Sequence, residues 1–338
     1  MKINRKMLLS QIEQVRPGIM EKVSSIPQSD CFLFQDGNIC SFNDEILIRL
    51  PCCLEAEGAI KASPLYHLLS KATEDTLTFQ QGEGVFLLAG KRNRAGLAVE
   101  AEIKSPAISI EPPTTWAKLP TNFLDGLKFC MFSASTDMSR PALIGIHVFD
   151  GIAESCDNFR LTRFTLEGEV EKPLLIPATA AAILIKYPVT RYGLTKGWIH
   201  FKAKELIFSC RVGEGKYPDI SPLLEVEGEK VKVPEKIRAA LDRASVFTES
   251  EFDQDRKIKI SFKPDLMTIK GKNANGWYQE KLAMKYDGDE LTFQIHPAFL
   301  QEMVSIMDEV VVGENKLKIK GKGFVHVVSL IADDAKED

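Results

Sequence analysis

The residue types that carry catalysis or bind metals are present in this chain, but not at the spacings that such chemistry needs. The five histidines lie far apart and belong to no HExxH motif or Cys/His cluster: His67, His147, His200, His296 and His326. Metal ligands must converge on one ion, so we expect no metal site. There is no Gly-x-Ser-x-Gly motif, and acidic pairs such as Asp44 and Glu45 are predicted to lie on turns. The sequence therefore predicts no catalytic residue and no cofactor.

Three glycine-rich segments invite comparison with phosphate-binding loops. The segment around Gly90 and Lys91 lacks the upstream glycine and the Ser or Thr of a P-loop, and we interpret it as a hairpin turn. The segments 213–216 and 320–323 lack the strand-to-helix glycine spacing of a dinucleotide site. None of the three predicts nucleotide binding.

The seven cysteines are odd in number and contain no CxxC spacing. Scattered as they are from Cys31 to Cys210, they do not resemble a disulfide framework, so we expect reduced and mostly buried thiols. The adjacent pair Cys52 and Cys53 follows a predicted strand and is too small a ligand set for an ordinary metal site.

Composition favours a well-packed protein in the cytoplasm. Hydrophobic residues make up 44% and charged residues 27% of the chain, with a net charge of −4. No apolar run reaches the roughly 18 residues of a membrane span. The first residues become polar before the apolar region of a signal peptide develops, so we expect neither export nor a membrane partner.

A helical stripe recurs three times, at offsets of 115 and 114 residues. Each copy places apolar residues at i, i+4 and i+7: Leu8, Ile12 and Val15; Phe123, Leu127 and Cys130; Ile237, Leu241 and Ala244. A second helix signal, a proline followed by an apolar run, recurs at Pro64, Pro177 and Pro297. Proline suits the first helical position because its missing N–H has no partner there. The sequence therefore predicts three similar domains.

Between the helix signals the apolar period changes from 3.6 to 2, with turn residues between the runs. The hairpins are too short for βαβ crossovers, which predicts an α+β fold with antiparallel sheets. Pro-rich and charged joints near 111–116 and 224–231 place the domains at 1–114, 115–226 and 227–338.

These segments resemble the bacterial-type DNA polymerase sliding clamps, the DNA polymerase III beta subunits, over essentially the whole chain. In the second third, residues 129–166 resemble that family's Ala-Ser helix end, Arg-Pro turn and Thr-Asp-Gly-His-Arg-Leu segment, the last written here as Cys-Asp-Asn-Phe-Arg-Leu at 156–161. Residues 211–224 resemble its connector into the third domain, and residues 237–250 and 273–300 resemble its third-domain helix and strands.

The resemblance implies three repeated DNA-clamp domains, each with two helices packed on antiparallel sheets. Two protomers would close a six-domain ring head to tail, each domain turning the chain by about 60°. Duplex DNA would be held independently of its sequence by cations on the helix-lined inner wall. The implied DNA-facing residues are Arg5, Lys71, Lys128, Arg140, Lys186, Arg191, Lys236 and Arg243.

The resemblance also implies a hydrophobic cleft that binds short peptides of the DNA polymerase and the clamp loader. Its positions carry over to Phe159, Arg160, Leu161, Pro218, Pro222, Leu223, Val327, Val328, Leu330 and Ile331. The chain departs from the family pattern where Ser329 and Leu330 replace Met-Pro, where basic residues are missing after Pro177, and in the acidic tail 332–338. A divergent, phage-encoded clamp would explain these changes.

Two alternatives stay open. One is an enzyme that uses Asp157 and Arg160 in a cleft. The other is a clamp-like scaffold or decoy that binds replication proteins without being loaded on DNA, which the missing basic residues after Pro177 favour.

Overall fold

A computed structural model describes residues 1–20, 22, 24–250, 255–304, 306–307 and 309–331. Its helices are α1 (Arg5–Val15), α2 (Ala62–Lys71), α3 (Phe123–Cys130), α4 (Ala178–Leu184), α5 (Ile237–Ser245) and α6 (Pro297–Gln301). All six helices predicted from the sequence are present. Of the three helix-starting prolines, Pro297 opens its helix as expected, Pro177 caps α4 from one residue before it, and Pro64 is the third residue of α2.

The strands follow the predicted period-2 runs and add others between them. In chain order they are β1 (Lys2–Asn4), β2 (Cys31–Gln35), β3 (Asn38–Phe42), β4 (Ile46–Pro51), β5 (Gly58–Lys61), β6 (Thr76–Gly82), β7 (Val85–Ala89), β8 (Arg94–Glu100), β9 (Ala117–Lys118), β10 (Gly145–Phe149), β11 (Ile152–Cys156), β12 (Arg160–Thr165), β13 (Leu174–Pro177), β14 (Arg191–Thr195), β15 (Trp198–Ala203), β16 (Leu206–Arg211), β17 (Glu229–Val231), β18 (Ile258–Lys263), β19 (Leu266–Asn273), β20 (Gly276–Ala283), β21 (Leu291–Ile295), β22 (Glu309–Val312), β23 (Lys316–Gly321) and β24 (Phe324–Ser329).

The chain divides into two compact units, of which the first comprises Met1–Thr121 and Val170–Gly213. Its sheet has the strand order β1-β6-β7-β8-β5-β2-β3-β4-β16-β15-β14-β9. The antiparallel pairing of β4 with β16, from Ile46 opposite Cys210 to Arg49 opposite Ile207, extends the sheet of the first repeat into strands of the second.

The second unit comprises Asn122–Glu169 and Glu214–Asp338. Within it, β10-β11-β12-β24-β23-β22-β17 are neighbours in one sheet, and β20-β19-β18-β21 form another. The antiparallel pairing of β12 with β24 joins strands of the second and third repeats. Because the middle third contributes to both units, the domain boundaries at 1–114, 115–226 and 227–338 stay predictions.

The repeated stripe is the apolar face that each first helix buries. Leu8, Ile12 and Val15 are fully buried, and the six equivalent residues of α3 and α5 are exposed by at most 2%. Helix α1 contacts β3 and β4, α3 contacts β11 and β12, and α5 contacts β19 and β20. A fully buried aliphatic or aromatic side chain stabilises the fold by about 1.5–3 kcal/mol, so these contacts fix each helix on its sheet.

The end of this helix is held in an equivalent place in each repeat. Ser41 Oγ donates to the Val15 carbonyl, and Ser155 Oγ donates to the Cys130 carbonyl. In the third repeat the residue facing the helix end is Gly271, where a Cβ would overlap the Ala244 carbonyl oxygen. At this strand position the residue thus donates a hydrogen bond to the helix end in the first two repeats. In the third repeat it is a glycine, whose backbone lies close to the helix end.

Candidate peptide-binding cleft and nucleic-acid interface

The second unit contains an open cavity of about 880 Å³ beside the end of β24. Its walls are Thr136, Asp157, Phe159, Arg160, Asp255, Lys257, His296, Phe299, Ser329, Leu330 and Ile331. Four residues of the predicted cleft are therefore brought together here: Phe159, Arg160, Leu330 and Ile331.

The other six predicted cleft residues lie outside the cavity wall. Leu161 pairs with Val327 across β12 and β24, and Val328 pairs with Arg160. These three apolar side chains are buried at 0–5% exposure and belong to the core. Pro218, Pro222 and Leu223 are exposed on the connector that contains the 3₁₀ turn Ser221–Leu224.

Arg160 is the best-held side chain of the cleft. Its Nε donates to Asp157 Oδ2 at 3.0 Å, and its Nη1 donates to Glu302 Oε2 at 2.6 Å. Its guanidinium carbon lies 4.5 Å from the centroid of the Phe299 ring. Charge-assisted hydrogen bonds in a partly desolvated site are strong, so Arg160 joins the start of β12 to helix α6 and fixes the cavity wall.

The turn before β12 orients the aromatic residue beside Arg160. Asp157 Oδ1 accepts hydrogen bonds from the backbone N–H groups of Phe159 at 2.7 Å and Arg160 at 2.8 Å. The Phe159 side chain remains 48% exposed, with its ring centroid 6.3 Å from that of Phe299. An exposed aromatic ring held by its backbone is suited to contacting an apolar ligand group.

Glu302 is the acidic partner of Arg160, and it is not among the cleft residues that the family resemblance implies. Burial raises the pKa of the Glu302 carboxyl, while the charge and hydrogen bond of Arg160 oppose that rise. The Glu302 and Arg160 side chains are 29% and 17% exposed. Their ion pair is consequently sheltered from much of the screening that weakens surface pairs.

The main chain fixes the C-terminal wall of the cavity. The backbone N–H groups of Ser329, Leu330 and Ile331 donate to the carbonyls of Phe159, Asn315 and Gln294, at 2.7, 2.9 and 2.9 Å. The acidic tail 332–338 lies outside the described residues. The segment that replaces the family's Met-Pro is thus bonded to three separate parts of the unit.

Seven wall residues were missed by carrying family positions onto the chain: Thr136, Asp157, Asp255, Lys257, His296, Phe299 and Ser329. Asp157 was considered only as a residue of the enzyme alternative. The position of Phe299 was predictable in part, because it lies on the first turn of the helix predicted at Pro297 and is not part of a buried apolar stripe. Asp157 and Ser329 adjoin predicted cleft residues in the sequence, whereas Thr136, Asp255, Lys257 and His296 come from other parts of the chain.

Four predicted DNA-facing residues belong to the first unit. Lys71 ends α2, Lys186 follows α4, and both are exposed. Arg5 is half-buried and donates to the carbonyls of Leu69 at 2.9 Å and Glu74 at 3.0 Å, so it also ties α1 to the end of α2. Arg191 lies on β14 rather than on a helix, opposite Lys118 and Lys202.

The other four belong to the second unit and are all exposed. Lys236 precedes α5, and Lys128 lies on α3, 3.1 Å from Asp125. Arg140 donates to Asn158 Oδ1 at 2.7 Å. Arg243 forms hydrogen bonds with Glu280 and with Tyr278, which raise its pKa and neutralise part of its charge.

Within the described ranges, no three His, Cys, Asp or Glu side chains converge as metal ligands. No helix in that part of the chain is long and apolar enough to cross a membrane.

Sequence comparison relates the chain to bacterial clamps at low identity. No family model matches it. It is 23% identical over 210 residues to the beta sliding clamp of Bacillus subtilis, covering 56% of this chain and 55% of that protein. It is 22% identical over 167 residues to the beta sliding clamp of Pseudomonas putida, covering 46% and 45%. The chain thus spans about half the length of the curated relatives it matches.

Structural similarity extends along the whole chain. The DNA polymerase III subunit beta of Pseudomonas aeruginosa superposes with a TM-score of 0.85 at 17% identity, covering 98% of this chain and 99% of that one. The beta chain of Streptococcus pneumoniae gives 0.86 at 19% identity with the same coverage. A Pseudomonas aeruginosa clamp bound to griselimycin gives 0.85 at 16% identity, again with that coverage.

These similarities define the class of the protein, a three-repeat DNA-clamp fold. The chain has the fold of the DNA polymerase III beta subunits and is similar in sequence, at 22–23% identity, to the beta sliding clamps of two bacteria.

Proposed function

We propose that the chain is a DNA sliding clamp, which encircles duplex DNA and tethers the replicative polymerase as a processivity factor. The observation that carries this proposal is the match of 98% of the chain to DNA polymerase III beta subunits at TM-scores of about 0.85. The role is non-catalytic and cytoplasmic, and needs neither cofactor nor metal.

Ring closure would use one strand edge from each unit. In the described part of the chain, residues 94–98 of β8 pair with β7 on one side, and β20 pairs with β19 on one side. Unpaired strand edges recruit further strands. Addition of β20 of one protomer to β8 of the next would make a head-to-tail homodimer and would cover Trp277, which is 64% exposed.

DNA would be held by its phosphates rather than by its bases. The positive charges of the eight predicted DNA-facing residues would attract phosphates. Side-chain contacts to base edges, which would stop sliding, would not be needed. A net charge of −4 is compatible with this role, because retention by encirclement is topological and needs only weak local attraction.

The cleft at Phe159, Arg160, Leu330 and Ile331 would bind the partner peptides of the polymerase and the clamp loader. Its volume of about 880 Å³ suits an extended segment with one or two apolar anchors. Exposed Phe159 and the apolar wall at Leu330 and Ile331 would bury those anchors, while nearby charged residues would set the peptide's direction.

Retention on circular DNA tests this function. The protein is loaded on nicked circular duplex by a bacterial clamp loader, isolated by gel filtration, and then treated with a restriction enzyme that linearises the DNA. We expect it to stay on the circle and to leave the linear form. Equal retention on both would contradict encirclement, and a ring that binds peptide but is never retained would identify a scaffold.

A further inference from the structure

The sheet formed by β18 to β21 has one apolar face and one charged face. Ile260, Met267 and Ile269 are buried on the side where α5 packs against β19 and β20. Because successive side chains of a strand point to opposite faces, the residues between them lie on the other side of the sheet. That side carries the lysine face, which is defined by Lys259, Lys263, Lys270, Lys272 and Lys281.

The strand register brings these lysines close together. Lys270 lies directly opposite Lys259 on β18 and two residues before Lys272 on β19. On the other side of β19, Lys281 of β20 lies opposite Thr268 and is therefore diagonal to Lys270. Directly opposite side chains are about 5 Å apart and diagonal ones about 7–8 Å apart, and like charges directly opposite each other destabilise a sheet. The arrangement is thus not explained by the stability of the sheet.

Three of the five lysines lack an acidic partner. Lys263 forms an ion pair with Glu290 at 2.9 Å, but in the described part of the chain no carboxylate lies within ion-pair distance of Lys270, Lys272 or Lys281. The other sheet of this unit balances its cations with acids: Arg163 with Glu154, and Lys230 and Lys320 both with Glu309. The lysine face consequently concentrates positive charge in a chain whose net charge is −4.

Uncharged hydrogen-bonding side chains lie between the lysines. Ser261 is opposite Thr268, Gln279 is opposite Lys270, and Thr292 Oγ1 donates to Ser261 Oγ at 3.0 Å. The strand positions on this side of the sheet contain no acidic residue. Lysine, serine, threonine and glutamine side chains are the usual donors to phosphate and sugar oxygens of nucleic acids. The chemistry of the face therefore matches a phosphate backbone.

We propose that the lysine face binds single-stranded nucleic acid through its phosphates, independently of sequence. Neighbouring strands are about 4.8 Å apart and alternate residues of a strand about 6.8 Å apart, so the lysines are spread in two dimensions over the sheet. A flexible single strand can place successive phosphates on such an area. The convex surface of a rigid duplex would meet it along one line of phosphates only. The face belongs to one protomer, so this binding needs neither ring closure nor encirclement.

Fluorescence anisotropy with the full chain and a labelled oligo-dT of about 12 nucleotides tests the proposal, because a short linear strand cannot be retained topologically. Replacing Lys270, Lys272 and Lys281 together by Ala should weaken binding at low salt about tenfold or more. The slope of log affinity against log salt should become shallower by about two, since each phosphate contact of a single strand contributes about 0.7. The triple Ala variant of the hairpin-turn residues Lys91, Lys196 and Lys322 changes the net charge equally and should bind as wild type does. Urea denaturation should show that both variants remain folded, because the replaced lysines of the face form no ion pair.

Three further comparisons identify the site and the ligand. Replacing Lys71, Lys128 and Lys236 together by Ala should weaken oligo-dT binding less than the lysine-face variant does. That face variant should lose less affinity for a duplex of the same length than for oligo-dT. Labelled polyglutamate should bind wild type more weakly than oligo-dT does.

Four results would overturn the proposal. They are an equal loss in the lysine-face and hairpin variants, a larger loss in the variant of Lys71, Lys128 and Lys236, an equal loss for duplex, and binding of polyglutamate as tight as that of oligo-dT. The last would assign the face to an acidic polypeptide. Binding of oligo-dT only after deletion of residues 332–338 would assign it to the acidic tail and would likewise overturn the proposal.

Discussion

Arg160 and Glu302, which are 142 residues apart in the chain, form a hydrogen-bonded ion pair at 2.6 Å. Arg160 begins β12 in the second repeat, and Glu302 follows α6 in the third. Since Arg160 also bonds Asp157 and stacks on Phe299, one guanidinium positions two walls of the cleft. The proposed binding site therefore depends on a contact that neither repeat contains by itself.

Removing one member of this pair should destabilise the second unit and weaken the cleft. We expect Arg160→Ala to lower the free energy of unfolding by about 2–4 kcal/mol, since it leaves Glu302 partly buried without its cation. Peptide affinity should fall about tenfold as Phe299 loses its support. Urea denaturation and fluorescence anisotropy with a labelled clamp-binding peptide measure the two effects.

A double-mutant cycle with Glu302→Gln separates the pair from the rest of the site. The coupling energy between Arg160→Ala and Glu302→Gln should be about 1–2 kcal/mol, because the two groups are in direct contact. Additive effects would mean that the ion pair contributes nothing of its own. Lys263→Ala, which removes an exposed ion pair with Glu290, is the matched control and should cost less than about 1 kcal/mol.

The C-terminal wall should be required for peptide binding but not for dimer formation. Deletion of residues 329–338 removes Leu330, Ile331 and three main-chain hydrogen bonds, so we expect binding of a polymerase-derived peptide to be lost while light scattering still shows a dimer. Deletion of 332–338 alone is the control and should leave binding intact. Undiminished binding in the longer deletion would place the partner surface elsewhere.

A finer version of this test replaces single wall residues. Leu330→Ala and Ile331→Ala should each weaken peptide binding about three- to thirtyfold, in proportion to the apolar area that an anchor buries against them. Leu223→Ala is the matched control, because Leu223 is exposed but lies outside the cavity wall. A larger effect at Leu223 than at Leu330 would place the peptide-binding site on the connector, as the family resemblance implies.

Cations at the helix ends should determine DNA retention. We expect the combined replacement of Lys71, Lys128 and Lys236 by Ala to shorten retention on circular DNA. The slope of log affinity against log salt should become shallower by about one for each phosphate that is no longer neutralised. The triple variant of the hairpin-turn residues Lys91, Lys196 and Lys322 changes the net charge equally and should bind as wild type does. An equal loss of retention in both variants would indicate a general charge effect.

Arg140, Arg191 and Arg243 are three further predicted DNA-facing residues, and the structure gives each a different setting. Arg243→Ala also breaks the hydrogen bonds to Glu280 and Tyr278, and Arg191 lies on a strand. We expect the three together to reduce retention without changing the dimer. Sequence-specific or salt-insensitive binding would contradict their assignment as DNA-facing.

The helices and most strands were predictable because their signals are local. The stripe at Leu8, Ile12 and Val15 has the helix period, and burial of that face follows from it. Strand β2 has no alternation of polar and apolar residues that would predict it, because four of its five residues are buried. Long-range pairing has no such local signal.

The cleft was predictable only in part for the same reason. The family resemblance names Phe159 and Arg160 from one short motif, and both lie on the cavity wall; their role in peptide binding stays a prediction. The family positions could not supply Phe299, Glu302 or Asp255, which reach the site through pairing and packing between repeats. Pro218 and Leu223 were adjacent to the expected site in sequence but lie outside the cavity wall.

Two buried histidines should make stability fall on mild acidification. Burial lowers the pKa of His200 to about 4 and that of His326 to about 3, with smaller contributions from Arg49 and Arg160. The unfolded chain binds these protons with pKa values of about 6.5. Stability is therefore complete above about pH 6.5 and is lost at about 1.4 kcal/mol per pH unit for each histidine as the pH falls towards the folded values. Urea denaturation at pH 7.5 and 5.5 should show a smaller loss in His200→Asn and His326→Asn than in wild type, and an unchanged loss would contradict the assignment.

Gly271 should be difficult to replace, because its backbone lies close to the end of α5. A Cβ there would overlap the Ala244 carbonyl oxygen at the end of α5, and backbone atoms cannot move away as a flexible side chain can. We expect Gly271→Ala to lower the free energy of unfolding by about 1–3 kcal/mol and to lift α5 from β19. At the equivalent positions a hydrogen bond is lost instead, so Ser41→Ala and Ser155→Ala should cost about 1–3 kcal/mol each by leaving buried carbonyls without this donor. Gly82→Ala, where no atom lies within 4 Å of the added Cβ, is the matched control and should stay within about 0.5 kcal/mol of wild type. Equal stability of Gly271→Ala and Gly82→Ala would contradict close packing of α5 against β19 at Gly271.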